Sequence, residues 1–306
     1  MLNLGQERTA MPFLPPSGAG LSAASAARLV RSALIRNHTA AASVLVLGIM
    51  VAAAVAAPWV APYSPVAVSH SPLVAPGFHH LMGTDQLGRD IFSRVIWGGR
   101  PVLGESALGV AIAALLGVSM GLVAGYSRGP LSFVVMRTVD VLLAFPGILT
   151  ALVVVTVIGS GLVNVAIAIG ISFLPAFARV VYGSTLAAKG QDYVLAARSI
   201  GCRSTRILLR HIGPNIAPQI VVLASSALGW AVLTAATLSF LGFGLAPPAA
   251  DWGSDLSAGQ QWVSSAWWIP TFPGLAITVV IVAANHLGDF LNERLSPRRR
   301  VPNSSL

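Results

Sequence analysis

Lys189 is the only lysine in a chain of 306 residues. It follows Ala188 and precedes Gly190, so no glycine-rich loop ending in Gly-Lys-Ser/Thr, the element that cradles nucleotide phosphates, is present. His79 and His80 are adjacent, so their side chains need not converge. No acid or cysteine follows them at ligand spacing, and a metal site there is not expected. His286 lies in an apolar run and is expected to face a helix bundle. The single cysteine, Cys202, excludes an intrachain disulfide and reads as incidental. Asp140, Arg179, Asp289 and Glu105 fall in or beside apolar runs, where ionisable groups are functional candidates by default. All four are expected to pair or snorkel, with gating as the alternative. No Ser/His/Asp constellation occurs among them, which disfavours a membrane enzyme. The expectation is a chain with no catalytic residue, no metal and no cofactor of its own.

The elements that position these residues are apolar. Hydrophobic residues make up 55% of the chain and charged residues only 9%, with a mean hydropathy of +0.77. A soluble domain carries about 25% charged residues, and the apolar residues here come in runs long enough to cross a bilayer. Spans are expected near 39–60, 102–125, 136–159, 162–182, 216–245 and 269–290. The fold class is therefore all-α, a membrane protein of about six transmembrane helices. Residues 1–38 read as a loose, basic N-terminal tail, 61–101 as a long extracytoplasmic loop, 102–290 as the transmembrane core, and 291–306 as a C-terminal tail. Ala54-Val55-Ala56 resembles a signal-peptidase site, but the preceding segment is too long for one, and the first span is expected to be retained.

Cation placement sets the orientation. The tails and the segments 126–135 and 183–215 hold fourteen of the 19 cations, and the alternate loops hold only Arg89, Arg94 and Arg100. The positive-inside rule places both termini in the cytoplasm. The net charge of +9 therefore belongs to a membrane surface. No basic stripe interleaved with aromatics appears, so no nucleic acid is expected. On the outer side, Asp90 to Trp97 reads as a short amphipathic helix at the interface. Trp252, Trp262, Trp267 and Trp268 in 246–268 read as an aromatic belt, with a lid or docking surface as the alternative. Gly117, Gly121 and Gly125 repeat at helical spacing, permitting close helix approach within the chain or against a second one.

The densest basic loop is 185–215. Within it, Asp192 can cap a helix beginning at Tyr193, and Tyr193, Val194, Ala197 and Ile200 share one face. Gly201 is placed to end that helix in a left-handed turn. Ser204 or Thr205 can start a second helix, which Gly213-Pro214 is expected to interrupt. The small residues Ala196 and Ala197 would let a partner approach closely.

This segment resembles the EAA loop of ABC importer permeases, at Ala196, Ala197, Gly201, Ile212 and Pro214. Four further stretches extend the resemblance, in the family's order, to permeases for dipeptides, oligopeptides and nickel. They are HLMGTDQLGRDIFSRVIWGGR at 80–100, MRTVDVLLAFPG at 136–147, LSFLGFGLAPPAADWG at 238–253 and FPGLAITVVIVAANHLGDFLNERLSPR at 272–298. The arrangement looks like the second, C-type permease subunit. The signature positions are His80, Gly83, Thr84, Asp85, Gly88, Arg89, Asp90, Asp140, Pro146, Gly288 and Asp289, and His80 reads as a loop contact.

The resemblance implies a type I importer permease fold. It also implies a second homologous permease and two ATP-binding subunits, which carry ATP and Mg. An extracytoplasmic solute-binding protein would deliver substrate. The ATPase contact falls on Asp192, Tyr193, Ala196, Ala197, Gly201, Ser204 and Pro214. Two positions depart from the family pattern, Leu195 in place of glutamate and Gly213 in place of leucine. The first removes a polar contact and the second loosens a helix end. Peptide is the first expectation for substrate, nickel the second. An ion-coupled secondary transporter is the alternative class, disfavoured because it needs ionisable groups at mid-membrane.

Overall fold

The computed structural model describes residues 37–295, so the cationic tails outside that range carry no structural account. Helix α1 (His38–Val55) runs into a single turn, α2 (Ala57–Val60). After the long loop comes α3 (Ile91–Tyr126), then α4 (Pro130–Leu143), α5 (Gly147–Ile158) and α6 (Leu162–Lys189). The basic segment supplies α7 (Asp192–Ser199) and α8 (Ser204–Ile207). A π-helical stretch, Leu208–Ile212, leads into α9 (Gly213–Phe240). The outer side carries α10 (Trp252–Gly259), and α11 (Trp268–Leu295) returns across the membrane.

Five helices are long and apolar enough to cross a membrane, and α4 with α5 makes a sixth crossing if the pair counts as one span. That pair corrects the expected continuous span 136–159. The two helices meet at a bend of 96°. Pro146 lacks an N–H and disfavours helical backbone in the residue before it, so α4 stops before Phe145-Pro146 and α5 starts afresh at Gly147.

The structure also corrects the interfacial helix. Residues 91–97 are the first turns of α3, which at 36 residues is about 54 Å long and overshoots a hydrocarbon core of about 30 Å. Ile91, Ser93, Arg94, Gly98 and Gly99 are buried in protein. Pro101 lies inside the helix.

Helices α3 and α6 form the tightest pair, and glycines set their approach. A Cβ on Gly117 would sit 2.6 Å from the Phe177 side chain, one on Gly121 2.6 Å from the Ala178 carbonyl, and one on Gly125 2.7 Å from Thr185. Gly109 continues the stripe, where a Cβ would meet Ile169 at 2.5 Å. The small-residue stripe therefore packs within this chain. The α3–α6 contact continues into a core with Ala227, Ala231, Ala235 and Leu238 of α9 and Val280 of α11.

Two expectations about ionisable groups meet different fates. Arg179 and Asp140 form an ion pair joining α6 to α4. Glu105 does not pair or snorkel, since it is 0% exposed and neither carboxylate oxygen has a partner. His286 is exposed on α11, not turned into the bundle.

Candidate functional site

The basic segment is built on a cluster beneath it. Val194 and Ala197 of α7 pack on Ala188 and Val181 of α6 and on Ile207, Ile212 and Ile216. The expected apolar face is thus corrected. Val194 and Ala197 point inward, but Tyr193 stands at the surface and Ile200 is 81% exposed. Ile200 follows the last residue of α7, so its side chain leaves the buried stripe where the chain turns.

Asp192 does not cap α7. Gln191 holds the cap position in extended backbone without a side-chain bond, and Asp192 is the first helical residue. There its negative charge favours the positive end of the helix dipole. At the other end, Gly201 adopts φ +78°. Its N–H donates to the Arg198 carbonyl at 2.9 Å, and the Cys202 N–H donates to the Ala197 carbonyl at 3.0 Å. These are the two bonds of a Schellman turn, in which the left-handed position suits glycine. Cys202 also packs against the cluster below, so its side chain completes the apolar contact that usually accompanies this turn.

Gly213-Pro214 does not interrupt the chain. Residues Ser204–Phe240 run as one span-length helical stretch. Leu208–Ile212 widens to π geometry ahead of the proline, the usual way a helix absorbs a local misfit. A Cβ on Gly213 would lie 3.0 Å from the Leu208 carbonyl, so the missing side chain fits the widened turn.

Two side chains tie the segment to the inner end of α3, and a third ties it to α9. Lys189 Nζ donates to the Tyr126 carbonyl and approaches those of Gly125 and Ser127 at 3.5 and 3.4 Å. A cation at a helix C-terminus satisfies orphan carbonyls and the dipole together. The Arg198 guanidinium lies 5.0 Å from the centre of the Tyr126 ring, and its Nε donates to the Tyr126 hydroxyl at 3.4 Å. Asn215 Nδ2 donates to the Tyr193 hydroxyl at 2.9 Å, joining α7 to α9. Leu195, Ala196, Ser204 and Pro214 remain on the outside, Leu195 47% exposed. The sequence reading missed Tyr126 and Lys189; their signal was a tyrosine ending an apolar run and a lysine ending another.

The 80–90 signature forms a polar knot at the other side of the membrane. Asp85 accepts from the Leu87 and Arg89 N–H groups at 2.8 and 2.9 Å and from Arg89 Nε at 2.6 Å. Thr84 Oγ1 donates to the Ser71 carbonyl and accepts from the Val74 N–H, each at 2.9 Å. Asp90 caps α3 through Ser93, and its other oxygen meets His80 Nδ1 at 2.9 Å. His80 is thus a contact within the loop. Gly83 and Gly88 have φ +78° and +75°, and a Cβ on either would strike a backbone carbonyl at 2.6 or 2.5 Å.

Arg94, one turn into α3, binds Asp255 of α10 and the Pro65, Pro248 and Ala249 carbonyls. Burial pushes the Asp255 carboxyl up to about 6 against the pull of Arg94. The aromatic belt is corrected at two positions. Trp252 and Trp268 are buried, their Nε1–H groups donating to the Val95 carbonyl at 2.7 Å and the Thr84 carbonyl at 3.1 Å. Trp267 is exposed and Trp262 half-buried.

The other signature residues lie apart from both groups. Pro146 sits at the α4–α5 bend, Asp140 in its ion pair, and Asp289 exposed on α11. A Cβ on Gly288 would meet Ser226 Oγ of α9 at 2.7 Å. These are packing and positioning roles, with no convergence on a reacting centre.

Comparison with known proteins agrees with this architecture. The sequence model described as "Binding-protein-dependent transport system inner membrane component" matches residues 117–301, and the one for the N-terminal transmembrane domain of oligopeptide transport permease C matches residues 25–76. The glutathione transport system permease protein GsiD of Pectobacterium atrosepticum is 41% identical over 266 residues, covering 86% of this chain and 88% of that protein. GsiD of Escherichia coli O6:K15:H31 is 42% identical over 265 residues, covering 86% and 88%. Among solved structures, a chain of the MetNI methionine ABC transporter, in an inward-facing conformation, superposes with a TM-score of 0.54 at 16% identity. It covers 67% of this chain and 97% of its own length. The chain belongs to the family of binding-protein-dependent transport system inner membrane components, as a multi-pass permease with the type I ABC importer fold.

Proposed function

We propose that this permease carries peptides across the inner membrane as one half of a translocation path, paired with a second homologous permease. In this reading the α7–turn–α8 segment docks on an ATP-hydrolysing subunit, and an extracytoplasmic solute-binding protein delivers the peptide to the outer face. The observation that carries the docking assignment is the exposed apolar tip formed by Leu195, Ala196 and Ile200. It stands on a helix whose opposite face is anchored in the cluster beneath. A tip so placed cannot move without moving α6, α9 and, through Tyr126, α3. Arg203, Arg206 and Arg210 are exposed around it, which suits an acidic rim on the partner.

Leu195 supplies an apolar contact where the family usually has glutamate. The glycine turn and the small residues at 196 and 197 keep the tip's shape. ATP and Mg belong to the partner subunits, and no group in this chain takes part in hydrolysis. The permease converts closure of the ATPase pair into a change of access. The relatives named as glutathione transport permeases support a short peptide as substrate, because glutathione is itself a tripeptide.

The test uses the complete transporter reconstituted with its ATPase subunits and binding protein. Ile200→Asp places a charge in the docking tip while leaving the buried face intact. Peptide-stimulated ATP hydrolysis and uptake should fall at least tenfold, about the effect of burying one uncompensated charge at an interface, with unchanged thermal unfolding of the permease. Unchanged coupling would overturn the docking assignment. Uptake of nickel but of no di-, tri- or oligopeptide would overturn the substrate.

A further inference from the structure

A second feature of the cytoplasmic side lies beside the coupling segment and shares Lys189, Leu195 and Arg198 with it. A cleft of about 760 Å³ opens between α4, the inner end of α6 and α7. Arg128, Arg137, Lys189 and Arg198 line it, and among the described residues Asp140 is the only acid in its walls. Asp140 is already neutralised by Arg179. Among the described residues, none of the four cations lies within ion-pair distance of a carboxylate. Like charges gathered around a cleft repel one another, and a bound anion relieves that repulsion.

The floor of the cleft is also suited to an anion. Helix α4 begins at its wall with Gly129 in the cap position, no side-chain cap, and Pro130 in the first turn. Its first free N–H groups and positive dipole end are left for an outside acceptor. Ser132 adds a hydroxyl on the same wall.

The rim is apolar. Phe133 and Leu186 line the cleft and are 63% and 45% exposed, with Leu131 exposed beside them. A free anion has no use for these side chains, but an amphiphile does. The positive-inside orientation puts the cleft at the level of the cytoplasmic headgroups. Basic pockets between helices on that side suit anionic headgroups.

We propose that this cleft binds the phosphate of an anionic phospholipid of the inner leaflet, with an acyl chain running along Leu131, Phe133 and Leu186. Arg198 faces both the cleft and the Tyr126 ring, so an occupied cleft would hold the coupling segment against the end of α3. The binding site rests on the membrane fold alone and stands whether or not the transported solute is a peptide.

The test reconstitutes the complete transporter in nanodiscs of phosphatidylcholine with or without phosphatidylglycerol. Native mass spectrometry reads retained lipid, and ATP hydrolysis reads the functional effect. The wild type should retain phosphatidylglycerol and hydrolyse ATP faster when it is present. Arg128→Gln with Arg137→Gln should weaken retention roughly tenfold or more, since each basic residue near a headgroup is worth on the order of 1 kcal/mol. It should abolish the lipid stimulation while leaving the rate in pure phosphatidylcholine unchanged. Ser132→Glu, which repels a phosphate without removing a cation, should do the same. Arg294→Gln, a charge lost outside the cleft near the same membrane face, should change nothing.

Equal retention by all variants would overturn the proposal, as would equal loss with Arg294→Gln. Inorganic phosphate stimulating the transporter in pure phosphatidylcholine would assign the cleft to a solute anion and overturn the lipid assignment. Lipid retained by the permeases alone but expelled when the ATPase subunits bind would assign the cleft to that interface, and overturn it too.

Discussion

The two ends of α3 are held by different physics. At the outer end, Asp90 caps the helix and Arg94 is locked to Asp255, both residues being buried. At the inner end, Tyr126 is held by a lysine on its carbonyl and an arginine on its ring, at the edge of solvent. Breaking one partner of a buried ion pair costs about 3–5 kcal/mol. An exposed cation–π contact is worth about 0.5–1 kcal/mol. The polar hold on α3 is therefore weaker at the inner end than at the outer end, while the glycine stripe keeps its inner half packed on α6. The outer knot works as an anchor for α3, and the cytoplasmic end is where a small input can change its position.

The sharpest way to break that comparison is Arg94→Met. It leaves Asp255 buried beside Asp251 without its ion-pair partner, with only the more distant charge of Arg89 to offset it. Thermal unfolding of the purified permease should show a loss of about 3–5 kcal/mol. The double change Arg94→Met with Asp255→Leu should recover part of it, because no orphaned charge remains. A loss below about 1 kcal/mol for the single change would put this pair with ordinary surface pairs and remove the anchor.

Trp252→Phe probes the same end more gently. The indole N–H to the Val95 carbonyl is lost, and the ring that packs over Gly98 and Gly99 shrinks. A buried hydrogen bond and a small void together should cost about 1–3 kcal/mol in the same unfolding measurement. An effect as small as those expected at the inner end would erase the difference between the two.

That anchor was hidden from the sequence, while much of the rest was legible. Apolar runs marked most of the spans, because bilayer thickness acts on local sequence. The Gly201 turn was legible for the same reason, since a left-handed backbone position selects glycine locally. The Gly117–Gly121–Gly125 stripe also showed itself by spacing. Arg94 and Asp255, by contrast, stand 161 residues apart. Nothing near either residue announces the other, so Asp90–Trp97 looked like an interfacial helix and the tryptophans like a lipid belt. Hydropathy reports that a residue avoids water; it does not distinguish lipid from protein as the alternative. The bend at Pro146 was missed because the apolar run passes through it without a break in composition.

The inner end tests the other half of the comparison. Tyr126→Leu keeps an apolar side chain at the end of α3 but removes the ring face that Arg198 covers and the hydroxyl that its Nε reaches. The carbonyl held by Lys189 is untouched, since it belongs to the backbone. The stability lost should therefore be small, about 0.5–1 kcal/mol, well under that of either outer change. The effect on function should be of a different kind. With the Arg198 contact gone, α7 acts on α3 only through α6, so ATP hydrolysis should continue while uptake per ATP falls. Tyr126→Phe retains the ring and should retain most of the uptake per ATP, which separates loss of the cation–π contact from loss of the hydroxyl. If Tyr126→Leu instead lowers hydrolysis and uptake in proportion, the tyrosine contributes to docking or assembly. In that case α3 is driven only through its packing on α6, where the glycines bring the two backbones together.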